Sequence, residues 1–177
     1  MHVRSQSPLV IVLMGVSGSG KSTIGAALSR RLGWPFRDAD SFHPPANIAK
    51  MSSGLPLNDD DRSPWLVAIA HWIDARCAAG APGIVSCSAL KRAYRSRIVG
   101  GRESVRLVYL NGDMGLIAQR LQARRDHFMP PSLLESQFAA LEEPGTDEQP
   151  LVVSIALSPQ RVVDTIIERL RLAPVSA

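Results

Sequence analysis

Residues 8–33 read PLVIVLMGVSGSGKSTIGAALSRRLG, and this stretch decides the fold. Pro8 to Met14 is a continuous apolar run, as expected of a parallel strand covered on both faces. Lys21 to Gly33 has helical periodicity and stops at a glycine. Between them Gly15, Val16, Ser17, Gly18, Ser19, Gly20, Lys21 and Ser22 fit G-x-x-x-x-G-K-[ST], followed by Thr23. Glycines let successive backbone N–H groups turn inward around a polyphosphate, and the N-terminus of the next helix adds its partial positive charge. A flexible Gly/Ser connection is the bland alternative; lysine and serine in register after a strand weigh against it. In such a loop Lys21 reaches the β- and γ-phosphates and the Ser22 hydroxyl ligates Mg²⁺.

Outward from this unit, strand-like and helix-like runs alternate. Strands are expected over 35–40, 83–89, 105–112 and 151–156, and helices over 44–54, 63–80, 114–125, 131–143 and 158–172. Ser63-Pro64 and Ser158-Pro159 each read as an N-cap followed by proline at the first helical position. The pattern predicts a mostly parallel α/β sheet, and the length of 177 residues with 45% hydrophobic content favours a single domain. In such a sheet ligands sit at the carboxyl ends of the strands, so the loops there are where chemistry belongs.

Charge and composition narrow the partners. The formal net charge of +4 suits an anionic ligand. The basic residues are dispersed, and aromatics, at 5%, are not interleaved with them, which argues against a nucleic-acid platform. Cys77 and Cys87 have neither metal-site spacing nor the density of a disulfide scaffold, so a reducing, cytoplasmic setting is expected. The N-terminal run has the outline of a signal peptide, but it feeds a phosphate loop and reads as the first strand; no run reaches membrane-spanning length.

Four segments together resemble the gluconokinase family of P-loop kinases: GVSGSGKST, DADSFHPPANIAKMSSGLPLNDDDRSPWL, CSALKRAYR and RRDHFMPPSLLESQFAALEEPGTDE, spanning Gly15 to about Glu148. The resemblance implies a P-loop NTPase fold of three α/β/α layers around a five-stranded parallel sheet, with a helical lid over about residues 120–137. It also implies a homodimer and transfer of the γ-phosphate of ATP, with Mg²⁺, to the 6-hydroxyl of D-gluconate. Where the family commonly has Asp-Gly-Asp, this chain has Asp38-Ala39-Asp40.

Phosphoryl transfer needs neutralised phosphates, an in-line nucleophile and exclusion of water. Lys21 and the loop amides serve the first need, with Ser22 as a direct metal ligand and Asp38 as a water-mediated one. Asp40 is the candidate for orienting the attacking hydroxyl and accepting its proton. Asp38 and Asp40, two apart on an extended segment, are expected on one face. A carboxylate with a polyol tail calls for cations and mixed hydrogen-bonders. By analogy with shikimate kinases, Arg62 and Lys91 are candidates for the acid group, with Arg95 behind them, and His43 and Lys50 for the hydroxyls. At the lid boundary Arg120 is expected among the nucleotide-binding residues, Arg124 among the catalytic ones and His127 near the substrate, with the phosphate that each arginine meets left open. Two other readings stay open: a shikimate-kinase-like enzyme with a different acceptor, and a nucleotide-binding regulatory module without turnover.

Overall fold

The computed structural model describes residues 9–124 and 131–176. Five parallel strands form one sheet: β1 (Val10–Met14), β2 (Phe36–Asp38), β3 (Gly83–Ser86), β4 (Val105–Asn111) and β5 (Leu151–Ser154), in the order β2-β3-β1-β4-β5. Seven α-helices connect them among the described residues: α1 (Lys21–Leu32), α2 (Pro45–Ser52), α3 (Asp59–Ala78), α4 (Arg92–Ile98), α5 (Met114–Ala123), α6 (Pro131–Ala140) and α7 (Pro159–Leu170). None of the described helices is long and apolar enough to cross a membrane.

Every residue of β1 is buried, because its side chains alternate between two helical layers. Ile11 and Leu13 join Ile24 and Leu28 of α1, Ile117 of α5, Leu134 of α6 and Val162 and Ile166 of α7. Val10, Val12 and Met14 join Leu66, Ile69 and Ile73 of α3 and Ile98 of α4 on the other face. The three-layer arrangement expected from the sequence is the one observed. The strand order reverses direction of growth at β1, so its carboxyl end is the topological switch point where this class of sheet opens a crevice.

Two expectations need correction. The long helix begins at Asp59, with Asn58 as its cap: the Asn58 side chain accepts from Asp61 N–H, and the Asp61 carboxylate accepts from Asn58 N–H. The acidic triplet 59–61 is therefore the first turn of α3, where negative charge complements the positive end of the helix dipole, and Pro64 lies inside the helix. The Ser158-Pro159 start of α7 is as expected. The chain leaves β2 at Asp38 and enters a 3₁₀ turn, Ala39–Phe42, so Asp38 and Asp40 do not share an extended segment. Residues 92–98, to which the sequence pattern assigns no element, form α4. The middle of the expected lid, 125–130, lies outside the described residues.

Gly112, between β4 and α5, illustrates how tightly the carboxyl edge is packed. A Cβ there would sit 2.5 Å from two atoms of the Ile155 side chain, which is itself buried. Gly112→Ala is expected to destabilise the protein by about 1–3 kcal/mol, the usual cost of overpacking. Chemical denaturation with an unchanged m-value would check it.

Candidate active site

The phosphate loop leaves β1 at the switch point and ends at the first residue of α1. Gly18 and Gly20 have φ of +82° and +94°, a region open to glycine at little cost. Gly18 is also a point of close approach: a Cβ would meet the Leu121 side chain of α5 at 2.9 Å. The Lys21 ammonium donates to the carbonyls of Gly15 (2.9 Å) and Val16 (3.0 Å), folding the side chain back over the loop. Burial lowers its pKa from the ordinary lysine value, with the negative charges around it, Asp38 and Asp40 among them, opposing that shift.

Two carboxylates from the end of β2 face this loop. The Ser22 hydroxyl donates to Asp38 Oδ2 at 2.8 Å, and Asp40 N–H donates to Asp38 Oδ1 at 2.9 Å. Asp38 thus caps the 3₁₀ turn that presents Asp40, and both residues line one cleft of about 540 Å³ together with Lys21, Ser22, Trp65 and Arg124. The turn achieves what the extended segment was expected to do. Ala39 does not need a left-handed backbone; it is buried, and its carbonyl accepts from the Trp65 indole N–H at 2.7 Å. Desolvation raises the Asp40 carboxyl above its ordinary value, and the charge of Asp38 raises it further.

A second hollow, about 280 Å³, lies on the other side of the loop. Gly18, Gly20, Thr23 and Arg124 belong to both walls, and the second is otherwise largely apolar, with Ile155, Leu157 and Val162. Arg120 lines it, held by a hydrogen bond to the Ile155 carbonyl. The Ser19 hydroxyl, on the same wall, is buried and has no hydrogen-bond partner among the described residues. A polar cleft joined to an apolar hollow across a phosphate loop suits a ligand with an anionic chain and a flat apolar head.

The cations expected for an acid group collect beside the cleft. Lys91 Nζ lies 3.5 Å and Arg62 Nη1 4.0 Å from Asp59 Oδ1, and the Tyr94 hydroxyl donates to the same oxygen at 2.5 Å. The Tyr94 hydrogen bond and then Lys91 hold the Asp59 carboxyl below its ordinary value. His43 links this cluster to the cleft: its ring stacks on Trp65, 4.7 Å between centroids, and its pKa is lowered by burial, with Asp40 raising and Arg62 further lowering it. Lys50 is engaged by Asp61 at 2.6 Å.

Arg95 is a correction. Its side chain is 1% exposed; the guanidinium forms a bidentate pair with Glu148 (2.7 and 3.1 Å) and donates to the carbonyls of Ala89 and Leu90. It braces the loop after β3, where Ala89 has φ of +47°, and offers nothing to an acid group in the cleft. His127 lies outside the described residues. Sequence reasoning missed Tyr94 and also Gln137, whose carboxamide meets Ser17 of the phosphate loop; neither carries a spacing signal, because each acts across a tertiary contact.

Fold, loop and facing carboxylates define a P-loop kinase of the α/β class. Residues 10–144 match the model of a family described as AAA domain. The chain is 46% identical over 160 residues to a gluconokinase of Gluconobacter oxydans (strain 621H), covering 90% of each chain. The solved structure of a gluconokinase from Sinorhizobium meliloti 1021 matches with a TM-score of 0.83 at 44% identity, covering 94% of both. A shikimate kinase from Bacteroides thetaiotaomicron shares the fold, with a TM-score of 0.67 at 19% identity over 93% of this chain and 99% of that one. The chain belongs to the gluconokinase family.

Proposed function

We propose that the protein is an ATP-dependent gluconokinase that phosphorylates the 6-hydroxyl of D-gluconate, giving 6-phospho-D-gluconate and ADP. The observation that carries this reading is the cleft in which Lys21 of the phosphate loop faces Asp40, with a cluster of cations beside it. In the transfer, the acceptor oxygen forms a bond to the γ-phosphorus as the bond to the β,γ-bridging oxygen breaks. The acceptor proton passes to the Asp40 carboxylate, and ADP departs with the electron pair. Lys21 and the loop amides hold the phosphates; Arg124, on both walls, faces the transferring group, and Arg120 the nucleotide side.

Ser22 and Asp38 fit Mg²⁺. They are a hydroxyl and a carboxylate oxygen already 2.8 Å apart, and among the described residues no group of three or more His, Cys, Asp or Glu could cage a metal alone. Such a sparse oxygen set suits an ion that keeps waters and shares phosphate oxygens. When bound, Mg²⁺ would neutralise charge on the β- and γ-phosphates.

For the acceptor, Arg62 and Lys91 supply the carboxylate end. That the two already converge on the oxygen of Asp59 supports it, since the same donors can meet a substrate carboxylate. His43 and Lys50 serve the hydroxyls, as does His127 in the same reading. Arg62→Ala is expected to raise KM for gluconate about 10- to 100-fold, the worth of a hydrogen bond to a charged group, with a smaller change in kcat. The reading also includes a homodimer in the cytoplasm, which sedimentation and cell fractionation would check.

The defining experiment measures Mg·ATP-dependent ADP formation with D-gluconate, shikimate, nucleoside monophosphates or no acceptor, and identifies the product. Gluconate-dependent formation of 6-phosphogluconate is the expected result. Turnover with shikimate instead would favour the related-kinase reading, and nucleotide binding without any turnover the regulatory one.

A further inference from the structure

Gln137 of α6 touches the phosphate loop from 120 positions away in the chain. Its Oε1 accepts from Ser17 N–H at 2.7 Å, and its Nε2 donates to Ser17 Oγ at 2.8 Å. The orientation of the carboxamide follows from chemistry: a backbone N–H is only a donor, so the amide oxygen must face it and the NH₂ must face the hydroxyl. Both consequences fall on Ser17. Its N–H is already engaged, so it is withheld from the anion-binding amides of the loop. Its hydroxyl oxygen is occupied as an acceptor, which leaves the hydroxyl proton free to be donated elsewhere.

The position of Ser17 says where. It lines the cleft that holds Lys21 and Asp40, and it is absent from the wall of the second, apolar hollow. A polyphosphate laid along the loop with its base in that hollow meets Ser17 at the end farthest from the base. We infer that Gln137 is a positioning residue that sets the Ser17 hydroxyl as a donor to the terminal phosphate of a nucleoside triphosphate, so that the pair distinguishes triphosphate from diphosphate. The inference rests on the nucleotide assignment of the proposed function and is independent of the acceptor.

The test is nucleotide binding by calorimetry without acceptor, using the magnesium complexes of the β,γ-imido analogue of ATP and of ADP. Gln137→Met keeps the length of the side chain and removes both hydrogen bonds; Gln137→Ala is the second variant should the first fold poorly. Each is expected to weaken the triphosphate analogue about tenfold, the worth of one hydrogen bond in this setting, while ADP stays within about twofold. Ser17→Ala is expected to behave alike, and the double variant to lose no more than either single one, because both act through one hydroxyl. Equal weakening of both nucleotides, as a loosened scaffold would produce, would overturn the inference; so would additive losses or unchanged affinities. A wild-type protein that bound neither nucleotide would overturn the nucleotide assignment and this inference with it. Wild-type binding with no selective loss in the variants would overturn the inference alone.

Discussion

Replacing Asp40 by Asn is expected to lower kcat by about 10²- to 10⁴-fold, the usual contribution of a positioned general base, while the affinity for ATP changes by no more than about threefold. The amide keeps the size and the 3₁₀ turn, whose cap is Asp38, but it cannot take the acceptor proton. Steady-state kinetics together with a direct ATP titration separate the two quantities; an equal loss in both would contradict a role confined to the acceptor side. A pH profile gives a second reading. The Asp40 pKa is raised by desolvation and then by Asp38, and the active form is the ionised one. Activity therefore falls as pH drops through that raised value, so the acid limb of kcat/KM for the acceptor lies above the ordinary carboxylate pKa of 3.8. In Asp40→Asn this limb disappears from the residual activity.

The second large effect is on stability. Glu148→Ala is expected to cost about 3–5 kcal/mol, because it leaves the Arg95 guanidinium buried without its counter-charge. For a chain of this size that corresponds to a fall in Tm of roughly 6–20 °C, measurable by calorimetry. The pH dependence has a definite sign. The Arg95 hydrogen bonds hold the Glu148 carboxyl below its ordinary value of 4.5. A carboxylate with a depressed folded-state pKa contributes stability above its unfolded value, and that contribution is lost as pH falls through the folded one. Wild type and variant should therefore converge in stability in acid, as pH falls through that depressed value. A loss that persisted unchanged at low pH would point to packing instead of charge. Arg95 also holds the carbonyls of Ala89 and Leu90, so the variant should loosen the loop that carries Lys91 and raise KM for the acceptor as well.

Much of the site was legible because its parts are local. The phosphate loop is one continuous segment between a strand and a helix, and its residue types are dictated by backbone conformation and by phosphate charge. Asp38 and Asp40 were legible because they lie at and just beyond the carboxyl end of a strand, and strand ends in this class of sheet face the crevice. The start of α3 was misread because Ser63-Pro64 imitates a cap; three acids at the helix N-terminus and the reciprocal Asn58–Asp61 bonds outweigh it. Arg95 was misread for a different reason. A basic residue in a basic segment looks exposed and available, and only the return of the chain at Thr146–Glu148 supplies the carboxylate that buries it.

The sequence by itself determined the sheet, the loop and the two carboxylates, because apolar periodicity, glycine conformation and strand-end position act over a few residues. It also carried the family resemblance through four separated segments. Only the tertiary structure decided which cations stand near the cleft and which are consumed by the scaffold. Lys91 and Arg62 converge on Asp59, Lys50 is held by Asp61, Arg95 by Glu148, and Ser17 is set by Gln137 from 120 positions away. A charged or amide side chain takes its role from the partner that reaches it, and that partner is chosen by how distant segments pack.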